Sequence, residues 1–167
     1  MESEPVEPVL HPIEQVSSDI SAGEHESLRI RQTIAALASQ RQWKNLWDLA
    51  DMMSKEVSIL FDRTGRSWVD IGTSGQVRLS PPKGARIPFR LWIHTHPWDA
   101  YWSSTDLQTL ASSSTILNEA LVLGHDHFKR TIKEGRGTDP LSSQGPLSAW
   151  TSEPCQTYSN PQSLGGE

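Results

Sequence analysis

The sequence predicts a single domain of the α+β or α/β class, in which a mixed β-sheet is flanked by helices. Apolar residues recur at helical spacing from Leu28 to Met53. Short segments rich in Val, Ile and aromatic residues follow, and glycine-containing turns separate them. Strand-like and helical segments then alternate through the rest of the core, which is the pattern of a sheet with helices packed on it.

The composition limits the size of the domain and the class of its partners. The chain has 167 residues, of which 35% are hydrophobic, so it has material for one modest core. The net charge of -5 and the lack of a long Lys/Arg run argue against a nucleic-acid partner. A single cysteine, Cys155, provides neither a disulfide framework nor a thiolate-rich zinc site. Any metal must therefore be bound by nitrogen and oxygen.

The apolar runs and the N-terminus predict where the chain resides. The longest runs, such as "ALVLG", are far shorter than the roughly 20 residues needed to cross a bilayer, which predicts no membrane partner. The start, "MESEPVEPVLHP", is acidic and interrupted by proline, unlike a secretory signal. We therefore expect an intracellular protein, in the cytoplasm with the nucleus as an alternative.

Both ends of the chain are predicted to be disordered. Residues 1–24 are rich in Glu, Pro and Ser, and residues 135–167 are rich in Ser, Gly and Pro. The predicted domain therefore covers residues 25–134.

Each element of this domain is predicted from a local pattern. Before and after the polar "SQRQ" the helical period predicts one broken helix or two consecutive helices. "KEVSILFD", "RSWVDIG" and "QVRLS" predict an antiparallel meander. "FRLWIHT" predicts a strand, "STDLQTLASSSTILNEAL" a helix, and "ALVLG" and "HFKRTIK" two further strands.

The stretch "FRLWIHTHP" places two histidines at the end of a predicted strand. Alternation puts Trp92, His94 and His96 on the face of Arg90, with Phe89, Leu91, Ile93 and Thr95 on the opposite face. The two histidine Cβ atoms would lie about 7 Å apart, so both rings can converge on one ion. Pro97 ends the strand because it has no N–H to donate. The pair is a candidate half of a metal site, the alternative being two ordinary imidazoles.

The stretch "SSTD" offers a third ligand. If Ser103 caps the next helix, Asp106 lies in its first turn, close to the end of the histidine strand. Ser-x-x-Asp is also a good helix start in its own right, and this is the alternative. Two histidines and one carboxylate would leave a fourth zinc position for water, as in catalytic zinc sites. Glu56 is then a candidate base and the Ser103 hydroxyl a candidate oxyanion donor.

These residues resemble the JAMM (MPN) metalloproteases, whose pattern is an upstream Glu, then His-x-His-Pro, a short loop and Ser-x-x-Asp. The elements here are Glu56, "HTHP" at 94–97 and "SSTD" at 103–106, and the likeness extends over about residues 28–133. The loop "WDAYW" has five residues where about six are expected. "KEVSILFD" lacks the glycine of deubiquitinating members, and is similar to RadC-like or minimal prokaryotic relatives.

The resemblance implies a fold, a cofactor and a reaction. The fold would be JAMM/MPN, a cytidine-deaminase-like α/β/α arrangement. One zinc ion would be bound by His94, His96 and Asp106, with Glu56 as general base and Ser103 supporting the oxyanion. The reaction would be hydrolysis of an isopeptide or peptide bond, including removal of ubiquitin or a ubiquitin-like protein. A catalytically silent interaction module and a metal-dependent hydrolase of another bond, such as a phosphoester, are the alternatives.

Other side chains near this pattern have two interpretations each. "GHDH" at 124–127 either forms a turn, which we favour, or adds ligands for a second metal. Asp99 is interpreted as a turn residue, and Trp92 as core. The aromatic residues of the loop either pack it down or grip an extended peptide as substrate-binding residues; they are Trp98, Tyr101 and Trp102.

Overall fold

The computed structural model describes residues 4–72, 82–134 and 139–158. These residues form four α-helices, seven strands and one short 3₁₀-helix (Pro146–Ala149). The helices are α1 (Ile13–Ser21), α2 (Leu28–Ser39), α3 (Trp43–Met53) and α4 (Ser104–Ser112). The strands are β1 (Glu56–Phe61), β2 (Ser67–Gly72), β3 (Leu91–Thr95), β4 (Glu119–Leu123), β5 (His127–Lys133), β6 (Trp150–Ser152) and β7 (Gln156–Thr157). Within those ranges no helix has the length and apolar character that a membrane crossing requires.

All seven strands belong to one mixed sheet, which confirms the predicted fold class. The strand order is β2-β1-β3-β4-β5-β6, and β7 pairs with β5. β3 and β4 are parallel, and all the other pairs are antiparallel. Parallel neighbours need a crossover connection, and α4 lies within the segment that joins β3 to β4. This crossover places the start of α4 after the end of β3.

Each face of the sheet carries its own apolar cluster. One face buries Ile59 and Ile93 against side chains of α2 and α3, such as Ile34 and Trp47. The other face has Leu60, Phe89, Trp92, Leu110, Leu117, Ala120 and Trp150 as its buried members. Three tryptophans are fully buried, and side chains of this size contribute large apolar areas to a core. The second cluster includes Trp92, two residues before His94 on β3.

The helical prediction for the first half of the core is confirmed as two helices. Ser27 caps α2 by accepting a hydrogen bond from the Ile30 N–H. Arg41 lies in the polar break and has a positive φ of 58°, which is incompatible with a continuous helix. The hairpin of β1 and β2 is confirmed as well. The third strand of the predicted meander, "QVRLS", lies outside the described residues.

The helix predicted from "STDLQTLASSSTILNEAL" is too long. The pattern predicts a helix from Ser104 beyond residue 118, whereas α4 ends at Ser112. The Phe89 N–H donates to the Ile116 oxygen, and Phe89 and Leu117 form a parallel bridge. Because of these long-range contacts, the backbone just before β4 is extended and not helical. They also turn Phe89 into the cluster of Trp92, so the prediction that Phe89 shares a face with Leu91 is wrong.

The N-terminal segment differs from the prediction of disorder over residues 1–24. Residues 13–21 form α1, in which Val16 is fully buried. Asp19 binds the Arg29 guanidinium at 2.6 Å and accepts a hydrogen bond from Ser27 at 2.7 Å. The segment has few apolar residues, but Val16 and Ile20 pack in the cluster that contains side chains of α2. Such partners are not visible in a local composition count.

The C-terminal segment also differs from the prediction of disorder from residue 135. Residues 139–158 contribute β6, β7 and the 3₁₀-helix. Trp150 is fully buried, and its indole N–H donates to the Leu110 oxygen at 3.1 Å. Tyr158 stacks on Phe128, with ring centroids 5.6 Å apart. Trp150 and Tyr158 thus pack the segment against the core, although its composition is otherwise polar.

Candidate metal centre

The candidate residues meet at one edge of the sheet because of strand direction. The carboxyl ends of the parallel strands β3 and β4 lie at the same edge, with Thr95 paired to Leu123. β1 is antiparallel to β3, so its first residue, Glu56, also lies there. The first His-x-His pair, at 94–96, spans the end of β3, and the second, at 125–127, follows the end of β4.

The predicted alternation along β3 is confirmed for its regular residues. Leu91 and Ile93 pack in the cluster of α2 and α3, whereas Trp92 packs in the opposite cluster. His94 and His96 are on the Trp92 side and both are buried. His96 remains in the ladder through its backbone N–H, which donates to the Leu123 oxygen at 2.9 Å.

Asp106 completes the group from the first turn of α4. Its Oδ2 atom lies 3.0 Å from His94 Nε2 and 3.1 Å from His96 Nε2. Ser103 and Asp106 form a capping box: the Ser103 N–H donates to Oδ2 at 3.0 Å, and Ser103 Oγ accepts from the Asp106 N–H at 3.1 Å. The cap and the three-ligand arrangement thus coexist. The capping contacts fix the carboxylate where the two imidazoles converge.

The charge of Asp106 is stabilised by its neighbours. Burial alone would raise the pKa of this carboxyl group, but the close approach of His94 and His96 and the Ser103 N–H lower the pKa well below its usual range. The side chain is therefore an ionised carboxylate, the form that binds metals.

His94 is the unusual member of the group. Both of its ring nitrogens are buried and neither forms a hydrogen bond with a described residue, because the 3.0 Å approach to Asp106 lacks hydrogen-bond geometry. Buried polar atoms nearly always have a partner, since desolvation without one is costly. The ring stacks on Trp92 at a centroid distance of 4.3 Å, and the Trp92 indole N–H donates to Ser58 Oγ at 3.0 Å. Stacking therefore sets the ring orientation of His94.

The three side chains fit a zinc ion. Their ligand atoms all lie within 4.8 Å of one another. Donors at about 2.0 to 2.1 Å from a tetrahedral zinc are separated by about 3.3 to 3.4 Å, close to the two distances from Asp106 Oδ2 to the imidazoles. Two imidazoles and one carboxylate are a donor set that zinc accepts. Binding at Nε2 would also give His94 the partner that it lacks.

Glu56, the candidate base, shares a pocket with His96. Both residues line a pocket of about 230 Å³, together with Trp47, Ala50, Asp51, Ser54, Lys55, Thr95 and Pro97. Glu56 is half-buried, and its carboxylate forms no ion pair or hydrogen bond with a described residue. A carboxylate without a structural partner in a pocket is available for proton transfer.

The aromatic loop (residues 98–102) lies next to the histidines. Trp98 is 67% exposed and Tyr101 is 52% exposed, and Tyr101 meets the His96 ring edge-on with centroids 4.6 Å apart. Trp102 is half-buried against the cluster of Trp92. Trp102 therefore packs the loop down, as one of the two interpretations predicts, whereas the Trp98 and Tyr101 rings are presented to solvent. Asp99 is exposed and does not belong to the ligand group.

The second His-x-His forms a turn, as favoured from the sequence. The Gly124 N–H donates to the His127 oxygen at 2.8 Å, and His127 begins β5. His127 Nδ1 lies 2.7 Å from Asp126 Oδ1, and its Nε2 accepts from the Ala100 N–H at 3.0 Å. Within the described ranges, the group of His94, His96 and Asp106 is the one cluster with metal-ligand geometry. The two-metal alternative therefore gains no support.

Three contributors to the centre were not identified from the sequence. Ser58 pairs directly with His94 across the strands and binds Trp92. Trp47 donates its indole N–H to the His96 oxygen at 2.8 Å. Gly124 leaves room for the aromatic loop. Of these, Ser58 had a signal, because it lies two residues after Glu56 and strand alternation puts both on one face.

Comparisons of this chain with protein-family models, curated proteins and solved structures give no match. The interpretation of the centre therefore depends on the arrangement of its own side chains.

Proposed function

We propose that this chain is a zinc-dependent hydrolase of JAMM type that cleaves an isopeptide or peptide bond. The observation that carries this proposal is the buried convergence of His94, His96 and Asp106, in which both His94 nitrogens lack a hydrogen-bond partner among the described residues. A zinc ion at these ligands would supply a water of lowered pKa and polarise a carbonyl oxygen.

Glu56 is the general base in this proposal. Its carboxylate borders the same pocket as His96 and forms no ion pair or hydrogen bond with a described residue. It would accept a proton from the attacking water and later pass it to the leaving amine. The leaving amine of an isopeptide is a lysine side chain. In this pocket the amine would receive the proton from the Glu56 carboxyl group.

Ser103 is the oxyanion donor in this proposal. A hydroxyl group has one proton to donate and two lone pairs to accept. In the capping box Ser103 Oγ accepts from the Asp106 N–H, and its own proton has no described acceptor. The hydroxyl can therefore stabilise a developing oxyanion without giving up the cap.

The order of elements supports the finer assignment of a JAMM/MPN, cytidine-deaminase-like fold. Three helices precede the β1–β2 hairpin, β3 carries the histidines, and α4 carries the carboxylate before β4. The exposed rings of Trp98 and Tyr101 would contact an extended segment of the substrate. The proposed substrates are conjugates of ubiquitin or of a ubiquitin-like protein, or peptides.

Metal content is the first test. Mass spectrometry on wild type, His96→Ala and Asp106→Ala should find one zinc per chain in wild type only, with circular dichroism spectra that agree among the three. A folded wild type that takes up no zinc after reconstitution would refute the hydrolase and leave the interaction module. Two metals per chain would favour the phosphoester alternative.

Catalysis is the second test. Glu56→Gln should retain zinc and lose about 10²- to 10⁴-fold in the rate of hydrolysis of lysine-linked diubiquitin or a fluorogenic isopeptide. The matched control is Asp51→Asn, which removes another carboxylate from the same pocket and should keep most of the activity. Equal loss in both variants would show that the charge of the pocket matters, and that Glu56 is not the base.

A further inference from the structure

The turn at residues 124–127 packs directly against the aromatic loop. β3 and β4 are parallel neighbours, so the segments that leave their carboxyl ends run side by side. The His125 N–H donates to the Trp98 oxygen at 2.7 Å. The Ala100 N–H donates to His127 Nε2 at 3.0 Å. Two hydrogen bonds of opposite direction thus join the turn to the loop.

Gly124 makes this close approach feasible. A Cβ atom at this position would lie 2.6 Å from the Trp98 oxygen and 2.7 Å from the Ala100 nitrogen. Both of these are backbone atoms, which cannot swing aside as a flexible side chain would. The loop therefore lies on the bare backbone of Gly124, and no other residue would allow the same distance.

The tautomer of His127 is set by its contacts. Because the Ala100 N–H can only donate, Nε2 must be the unprotonated nitrogen. The proton is then on Nδ1, which donates to Asp126 Oδ1 at 2.7 Å. Asp126 thus orients the ring that binds the loop. The imidazole has no free nitrogen left for a metal.

We propose that residues 124–127 are the seat of the aromatic loop and that His127 is the positioning residue that fixes the loop beside the metal centre. The seat holds Ala100 buried while Trp98 and Tyr101 on either side of it remain exposed. His127 therefore acts on binding of an extended peptide segment of the substrate, and does so without touching it. The role in substrate binding rests on the proposed function; the role in fixing the loop does not.

Amide exchange tests the seat independently of activity. In His127→Ala, the Ala100 amide should exchange about two- to tenfold faster than in wild type, the effect of losing one net hydrogen bond. His127→Gln should restore protection, because the Gln oxygen can accept from the Ala100 N–H. The matched control is His25→Ala, a partly buried histidine on the α1–α2 connection, which should leave Ala100 unchanged. Unchanged exchange at Ala100 in His127→Ala would overturn the proposal.

Zinc content and kinetics test whether residues 124–127 act on substrate binding. His127→Ala should keep its zinc, and with lysine-linked diubiquitin as probe its KM should rise about fivefold with kcat nearly unchanged, as when uniform binding is lost. Restoration of KM in His127→Gln supports the positioning role. A loss of zinc, or a fall in kcat at constant KM, would overturn it. If wild type hydrolyses no probe, the proposed function fails, and the Ala100 exchange alone decides the seat.

Discussion

The two His-x-His pairs of this chain have the same sequence pattern and opposite structural roles. Both lie at the carboxyl ends of neighbouring parallel strands, and an aspartate lies close to each pair. His94 and His96 lie along a strand end, buried, with Asp106 between their Nε2 atoms. His125 lies in the turn and His127 is the first residue of β5, where its two ring nitrogens contact the Ala100 N–H and Asp126.

The difference lies in backbone geometry and in where the carboxylate comes from. Residues i and i+2 of a strand share a face, so the first pair converges. A turn has no such period, and the second pair diverges. Asp106 arrives from a separate helix and is buried, whereas the Asp126 side chain is 77% exposed. Among the described residues, the pair that has metal-ligand geometry is the one along a strand, with a carboxylate that approaches from another element.

The largest expected effect separates the two pairs by metal binding. His94→Ala removes a buried ligand and should reduce zinc from one per chain towards none. His125→Ala removes a ring that only packs against Trp47 and Trp98, and should keep full zinc content. Metal analysis after dialysis measures both. Equal zinc loss in the two variants would break the comparison.

The next effect concerns the seat of the aromatic loop. Gly124→Ala should destabilise the fold by about 1 to 3 kcal/mol, the usual cost of overpacking, because the new Cβ meets backbone atoms of the loop. Gly72→Ala is the matched control, since nothing lies within 4 Å of a Cβ there. Urea denaturation gives both values. A neutral Gly124→Ala would mean that the loop can move away at no cost.

A smaller effect is expected from the support of the first pair. Ser58→Ala removes the acceptor of the Trp92 indole N–H, on which the His94 ring stacks. Zinc affinity should fall about tenfold, as for other residues that orient a ligand. Ser39→Ala, which removes a hydroxyl group bound to a helix carbonyl, should leave affinity unchanged. Competition with a chromogenic chelator measures the constants, and equal affinities would show that stacking does not orient His94.

The smallest effect is expected at the carboxylate of the second pair. The hydrogen bond from His127 lowers the pKa of Asp126, so its stabilising contribution is present above the unfolded-state pKa and is lost as the pH falls through the folded-state value. The group is exposed, so solvent screens this contribution. Asp126→Asn should therefore melt slightly below wild type at neutral pH and together with it in strong acid. A large difference at neutral pH would contradict this assignment.

Local patterns in the sequence predicted much of the centre. Alternation along β3 put His94 and His96 on one face, and the Ser-x-x-Asp cap placed Asp106 in the first turn of α4. They failed where the deciding contact is distant. The local pattern predicted a helix beyond Ser112. The chain there is instead extended by the bridge between Phe89 and Leu117, and a contact between residues so far apart has no local signal.

The sequence by itself determined the types of α2, α3, β1 to β3 and the start of α4, the shared face of the two strand histidines and the cap of α4. Those features depend on contacts within a few residues, which a local pattern can express. Only the tertiary structure decided that Trp150 closes the core and that both His-x-His pairs lie at one edge. It also decided that Gly124 and His127 hold the aromatic loop. Those features depend on strand order, which brings together residues far apart in the chain.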